Sequence, residues 1–223
     1  MTGVTMVELL VAMTVTILVI AIASLAYSRF SGEWDGRLGR FEGARADYQG
    51  LAVLFEALSG GVAWVVRDAA GEPGFYFLGR EEGLTMVTLS PVFADSYPAV
   101  IRVFRERQSD GTAEALWQLV YEEASLEGLV LREAGQRLPF AARMVVARDL
   151  RELSFEYHGW ASLEARLSAD DDPRAVRRWF GEYDGLLTRQ QPERLRLLID
   201  GQSVVLALPA QGREAINQFL AAD

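Results

Sequence analysis

Five groups of residues in this chain have types and spacings that could do chemistry. Residues 3–14 read GVTMVELLVAMT, and Glu8 is the one charge among them. A carboxylate near a membrane core costs about 2.5–3.5 kcal/mol and usually marks a function or a partner. Asp170, Asp171 and Asp172 stand side by side, and hard cations such as calcium take clustered carboxylates. The run lacks the glycine and distal glutamate of an EF-hand loop, which favours a solvated loop with a helix cap over a metal site. His158, the one histidine, has no nucleophile motif such as GxSxG to serve, so a surface or satisfied side chain is the better reading than a catalyst. Arg177 and Arg178 beside Trp179 could stack on a base, yet the acidic balance of the chain favours a protein contact. Glu81-Glu82 and Glu122-Glu123 are neighbours in strand-like stretches. Neighbours in a strand point to opposite faces, so neither pair makes a close acid pair.

Composition narrows the field further. The chain has 223 residues, half of them hydrophobic, and a formal net charge of -9. That suits one globular domain behind a membrane or export segment, and disfavours a basic nucleic-acid binder. There is no cysteine, and all 22 basic residues are arginine. Disulfides, thiolate metal sites, Schiff-base lysines and the GxxxxGK[ST] phosphate loop are thereby excluded.

The elements that must position Glu8 come next. From Leu9 to Tyr27 the chain carries no charge, and as a helix this run is roughly 28 Å long, close to bilayer thickness. Three readings compete. A secretory signal would need basic residues ahead of the run, and residues 1–8 contain none, although Ala21–Ala26 offers small residues for cleavage. A plain single-pass anchor leaves Glu8 unexplained. The third reading makes Gly3 the residue before a cut and Glu8 the fifth position after it. Cleavage would leave an ammonium on Val4, one helical turn from Glu8.

That constellation of Gly3, Val4, Thr5 and Glu8 resembles the class III signal of type IV pilins and of the pseudopilins of type II secretion. The resemblance implies a prepilin leader at 1–3, cleavage by prepilin peptidase between Gly3 and Val4, and N-methylation of Val4. It also implies a transmembrane helix at 4–28 and a periplasmic domain at 29–223. In the family the glutamate neutralises the terminal amine of a neighbouring subunit, so Glu8 is expected to act in subunit assembly, where a charge-assisted pair offsets desolvation of both groups. Val4 stands where phenylalanine or methionine is more usual.

Beyond the span, Trp34, Phe41, Tyr48 and Phe55 recur every seven residues, with Leu38, Ala52 and Leu58 on the same face. This predicts an amphipathic helix packed on a sheet, ended by Ser59-Gly60-Gly61. Gly36, Gly39, Gly43 and Gly50 each cost about 1 kcal/mol against alanine there, and serve either bending or close approach. Strand-like runs follow at GFYFLG, GLTMVTLS, AVIRVFRER, EALWQLVYEE, GLVLRE and LRELSFEYHG, and ERLRLLID-GQ-SVVLALP closes the set. Asp110-Gly111 and Asp200-Gly201 are hairpin signals. Residues 168–192 read as an insertion projecting from the sheet, with Asp172 and Pro173 opening a short helix. The expected class is α+β: a long N-terminal helix, transmembrane in its first half and amphipathic in its second, packed on an antiparallel sheet, as in pilins.

The hairpin and the late segments LSFEYHGW and PERLRLLIDG are also similar to the J-type minor pseudopilin, and less specifically to a W-type minor pilin. The resemblance implies a non-enzymatic subunit of the bacterial inner membrane without cofactor, its C-terminal domain in the periplasm. The implied partners are other minor pseudopilins in a tip complex, the major pseudopilin, prepilin peptidase, the inner-membrane assembly platform and membrane lipid, with no nucleic acid. A membrane-anchored enzyme or sensor domain is the alternative from another class.

Overall fold

A computed structural model describes residues 6, 13, 15, 19, 20, 49–94, 98–108, 116–169 and 175–209. The chain divides into two compact units, Met1–Ala46 and Asp47–Asp223. In the first, Met6, Met13, Val15, Val19 and Ile20 are helical and exposed. Among the described residues no helix is long and apolar enough to cross a membrane. The rest of the span expected at 4–28 lies outside the described residues.

The second unit opens with helix α1, residues 49–59. Leu54 and Leu58 are fully buried with Ala57, and Leu51 and Phe55 pack beside them. Spacings of three and four place these side chains on one stripe. Ala52, expected on that stripe, is exposed because it lies two residues, about 200° of helix, from Leu54. Gly60 ends the helix. The carbonyl of Ala57 accepts from Thr88 Oγ1 at 2.6 Å, which ties the last turn to the sheet.

Strands then follow in close succession: β1 (Gly61–Val62), β2 (Val65–Arg67), β3 (Pro73–Phe75), β4 (Phe77–Arg80), β5 (Gly83–Thr88), β6 (Ala99–Arg107), β7 (Trp117–Ser125), β8 (Ala142–Leu150) and β9 (Leu153–Gly159). After the short helix α2 (Leu163–Leu167) come β10 (Arg178–Phe180), β11 (Tyr183–Asp184), the one-turn α3 (Gly185–Thr188), β12 (Arg194–Ile199) and β13 (Gln202–Ala207). The first sheet has seven strands, in the order β11-β4-β5-β6-β7-β8 with β1 also on β5. The second has four, β10-β9-β12-β13, and β2-β3 form a separate ribbon. Pairing within each is antiparallel.

This architecture corrects the expected class. The described fold is mainly β, with short helices only, rather than a long helix laid across a sheet. The reason is geometric. A helix about 10 Å across covers roughly two strands spaced at about 4.8 Å, so α1 cannot cover a seven-stranded sheet. The second sheet covers the remainder. Leu153, Phe155 and Tyr157 of β9 with Leu195 and Leu197 of β12 share one core with Phe77, Met86, Ile101, Leu119 and the α1 stripe.

Polar ties hold the two sheets in register. Phe155 N donates to Glu81 O at 3.1 Å, Arg105 Nη1 to Leu153 O at 2.9 Å, and Tyr157 Oη lies 2.8 Å from both Arg80 O and Gly83 O. A smaller apolar cluster on the other face of the first sheet joins Val66, Val87 and Val100 to Leu126 and Leu131.

Three further expectations are corrected. GLVLRE is a loop, held to β2 by a single parallel bridge between Arg67 and Glu133, because Leu126 and Leu131 turn into the smaller core. Residues 178–192 do not project: β10 joins β9, β11 joins β4, and Gln190 and Gln191 are buried. Residues 175–177 are not helical, and β10 begins where the short helix was expected to run. Strand β8 was unexpected. Its register on β7 shifts twice, between Trp117 and Leu119 and between Leu119 and Val120, and Asp149 sits at φ 57. Bulges of this kind break the alternation by which a strand is read.

Candidate functional site

Gly3, Val4 and Glu8 lie outside the described residues, as do Asp170, Asp171 and Asp172. Of the remaining candidates, His158, Arg177 and Trp179 meet on the outer face of the second sheet. Alternation along β9 turns Leu153, Phe155 and Tyr157 inward and leaves Glu156 and His158 half-buried on the outer side. Register then assembles a cluster: His158 has Trp179 opposite it on one side and Arg194 on the other, while Arg196 stands opposite Glu156.

The cluster is an alternation of rings and charges. The His158 and Trp179 rings lie 5.0 Å apart. The Arg196 guanidinium sits 3.8 Å from the centre of the Trp179 ring, and its Nη1 donates to Glu156 Oε2 at 2.7 Å. Arg177 donates to both oxygens of Glu193 at 3.0 and 3.2 Å and lies 5.3 Å from the Trp160 ring. On the other face of β10, Arg178 lies 5.0 Å from Phe180, which packs on the core. Cation–π contacts of this kind contribute about 0.5–1 kcal/mol each at exposed sites.

His158 Nδ1 is buried without a hydrogen-bond partner, 3.9 Å from Glu193. Desolvation holds its pKa below the ordinary value, and Arg194, Arg177 and Arg196 push the same way against Glu193. The ring is therefore neutral near pH 7. A neutral imidazole could act as a base, but its free nitrogen is enclosed between a tryptophan and a salt-bridged carboxylate. Arg177, Arg178 and Trp179 are each engaged by groups of the chain itself.

Of the two glutamate pairs only Glu122-Glu123 lies in a strand and separates as alternation requires; Glu81-Glu82 forms the turn between β4 and β5. Glu122 is paired outward with Arg143 at 3.1 Å and Arg102 at 3.5 Å. Glu123 points inward, only 2 % exposed. Its carboxylate accepts from the amides of Val92 at 2.7 Å, Phe93 at 3.2 Å and Ala94 at 2.6 Å, and from Tyr121 Oη at 2.6 Å. Burial first, then the hydrogen bond to Glu123, push the Tyr121 hydroxyl well above its ordinary value. Glu123 thus fastens the loop after β5 to the sheet. Glu81 and Glu82 flank Arg105 at 3.8 and 3.7 Å.

A cleft of about 560 Å³ opens between the β2–β3 turn, the 133–135 turn and α3, floored by Ala69, Ala134, Leu186 and Leu187. Two of its carboxylates are committed. Asp68 accepts from the amides of Ala70 and Glu72, and Asp184 from those of Leu186 and Leu187. Glu156, Glu193, Arg196 and Trp160 were not singled out in the sequence. Pairing LSFEYHG with ERLRLLID on their polar faces would have brought the first three to His158.

No protein-family model matches this chain, and no curated protein matches it.

Proposed function

We propose that this chain is a minor pseudopilin of a type II secretion system, J-like, working as a structural subunit at the tip of the pseudopilus. The observation that carries this reading is the spacing from Gly3 to Glu8 at the head of an uncharged run. A carboxylate there is costly in lipid unless assembly supplies a counter-charge, and an amine freed on Val4 of a neighbouring subunit is such a charge. The exposed apolar side chains of Met6, Met13, Val15, Val19 and Ile20, all helical, suit a segment that meets lipid or partner subunits. The ring-and-charge surface of the second sheet suits protein contact.

In this reading prepilin peptidase cuts after Gly3 and methylates Val4. The apolar run holds the subunit in the bacterial inner membrane with the β-rich domain in the periplasm. Together with other minor pseudopilins and the assembly platform it starts the filament that moves folded proteins across the outer membrane. Its work is mechanical, with no reaction and no cofactor.

Intact mass of the protein recovered from cells tests the claim. A chain beginning at N-methyl-Val4 is expected. Retention of Met1, or cleavage within Ala21–Ala26, overturns it. Deleting the gene is expected to abolish exoprotein secretion and spare twitching. The reverse outcome assigns the chain to a type IV pilus instead.

A further inference from the structure

Sheet edges expose unpaired amide and carbonyl groups, and natural proteins blunt them with short strands, bulges or charges. Three edges here are blunted. On the first sheet the outer strand β11 has two residues, as does β1. Its other edge, β8, is broken by two register shifts and carries Arg143, Arg148 and Asp149. On the second sheet β10 has three residues. The fourth edge is different. β13 runs six residues in unbroken register on β12, contains no charge and no proline, and pairs with nothing else among the described residues.

We propose that β13 is a self-association edge on which a second copy of this chain adds its own β13, antiparallel, so that two four-stranded sheets become one. This is independent of the secretion reading. Gln202–Ala207 brings no like charges together when paired with itself. Of the charges opposite it in β12, Arg196, facing Val205, is already held by Glu156, and Arg194 stands at the end of the strand, facing Ala207.

Register is dictated by burial. Directly opposed residues of an antiparallel pair project to one face, and a slip of one residue would put core side chains into water. Val204 and Leu206 are half-buried, whereas Ser203, Val205 and Ala207 are exposed. A twofold axis perpendicular to the sheet must therefore pass through Val204 or Val205, the middle of the strand. That axis makes an isologous, closed dimer.

The absence of cysteine makes the test direct. In the full chain, purified in mild detergent, single variants Val204→Cys and Val205→Cys are oxidised gently. One of the two is expected to form a disulfide-linked dimer. Ser203→Cys and, on the bulged edge, Arg148→Cys are expected to stay monomeric. Val205→Lys, at a position 48% exposed, is expected to keep the fold by circular dichroism. It should weaken association by roughly tenfold or more in sedimentation equilibrium, since like charges then stand directly opposite or diagonal to each other across the axis. A wild-type chain that sediments as a monomer overturns the proposal, whether its β13 amides exchange freely or are protected by another part of the same chain. Cross-linking of Arg148→Cys as readily as Val205→Cys overturns it as well.

Discussion

The two large sheets obey different patterns for one physical reason. The first is covered over most of one face by the second sheet and α1, and at one end of the other by the 126–140 loop, so β6 begins with three buried residues in a row, Ala99, Val100 and Ile101. The second is covered on one face only, and β9 alternates buried and half-buried without a break. A strand with two covered faces reads as a continuous apolar run, and one with a single covered face alternates. The difference decides where charge can stand. In the first sheet an inward acid such as Glu123 must be caged by donors, whereas in the second the outer row is free to become a surface of rings and charges.

The comparison can be broken most severely between the sheets. Phe155→Ala empties a fully buried site and is expected to cost about 3–5 kcal/mol, read from urea unfolding. Glu123→Ala is expected to cost about 3 kcal/mol, because three amides and the Tyr121 hydroxyl lose their acceptor together. Limited proteolysis should then open the chain near 91–94 before the core unfolds. Should Glu123→Ala be as stable as the parent, the cage is ornamental.

Smaller effects sharpen the contrast. Gly50→Ala would place a Cβ 2.5 Å from Val146 O. It is expected to destabilise by about 1–3 kcal/mol despite the roughly 1 kcal/mol that alanine gains in helix propensity. On the outer surface, Arg196→Ala is expected to cost about 1 kcal/mol. A double-mutant cycle with Glu156→Gln checks whether the pair is coupled.

The weakest expected effect is a pH slope. The folded-state pKa of His158 lies below its unfolded value of 6.5, chiefly through desolvation. Its contribution to stability is then fully present above pH 6.5 and is lost as pH falls from there through the folded pKa. His158→Gln should flatten the stability profile in that window, and an unchanged slope would remove His158 from the account.

Much of the second unit was legible from local pattern. The β12–β13 hairpin lies where ERLRLLID-GQ-SVVLALP places it, with Asp200 and Gly201 at positive φ in the turn. The helix stop at Ser59-Gly60-Gly61 and the divergence of Glu122 from Glu123 follow from equally short-range rules. Strand β8 escaped because its bulges erase the period. The role of Gly50 could not be chosen between bending and close approach until Val146 was seen against it. The expected helix-on-sheet class failed because a strand run does not reveal how many sheets its strands divide into.

By itself the sequence determined what lies within a few residues: the turn at Asp200-Gly201, the polar and apolar faces of β9 and β12, and the five-residue interval from Gly3 to Glu8. Only the tertiary structure decided that a second sheet would do most of the covering that one helix cannot. It also brought Trp179 between His158 and Arg196 and, among the described residues, left β13 without a second partner while three other edges were blunted. Local rules set each residue's direction from its own strand or turn, whereas partners from distant strands are selected by burial over the whole core, a quantity no short stretch contains.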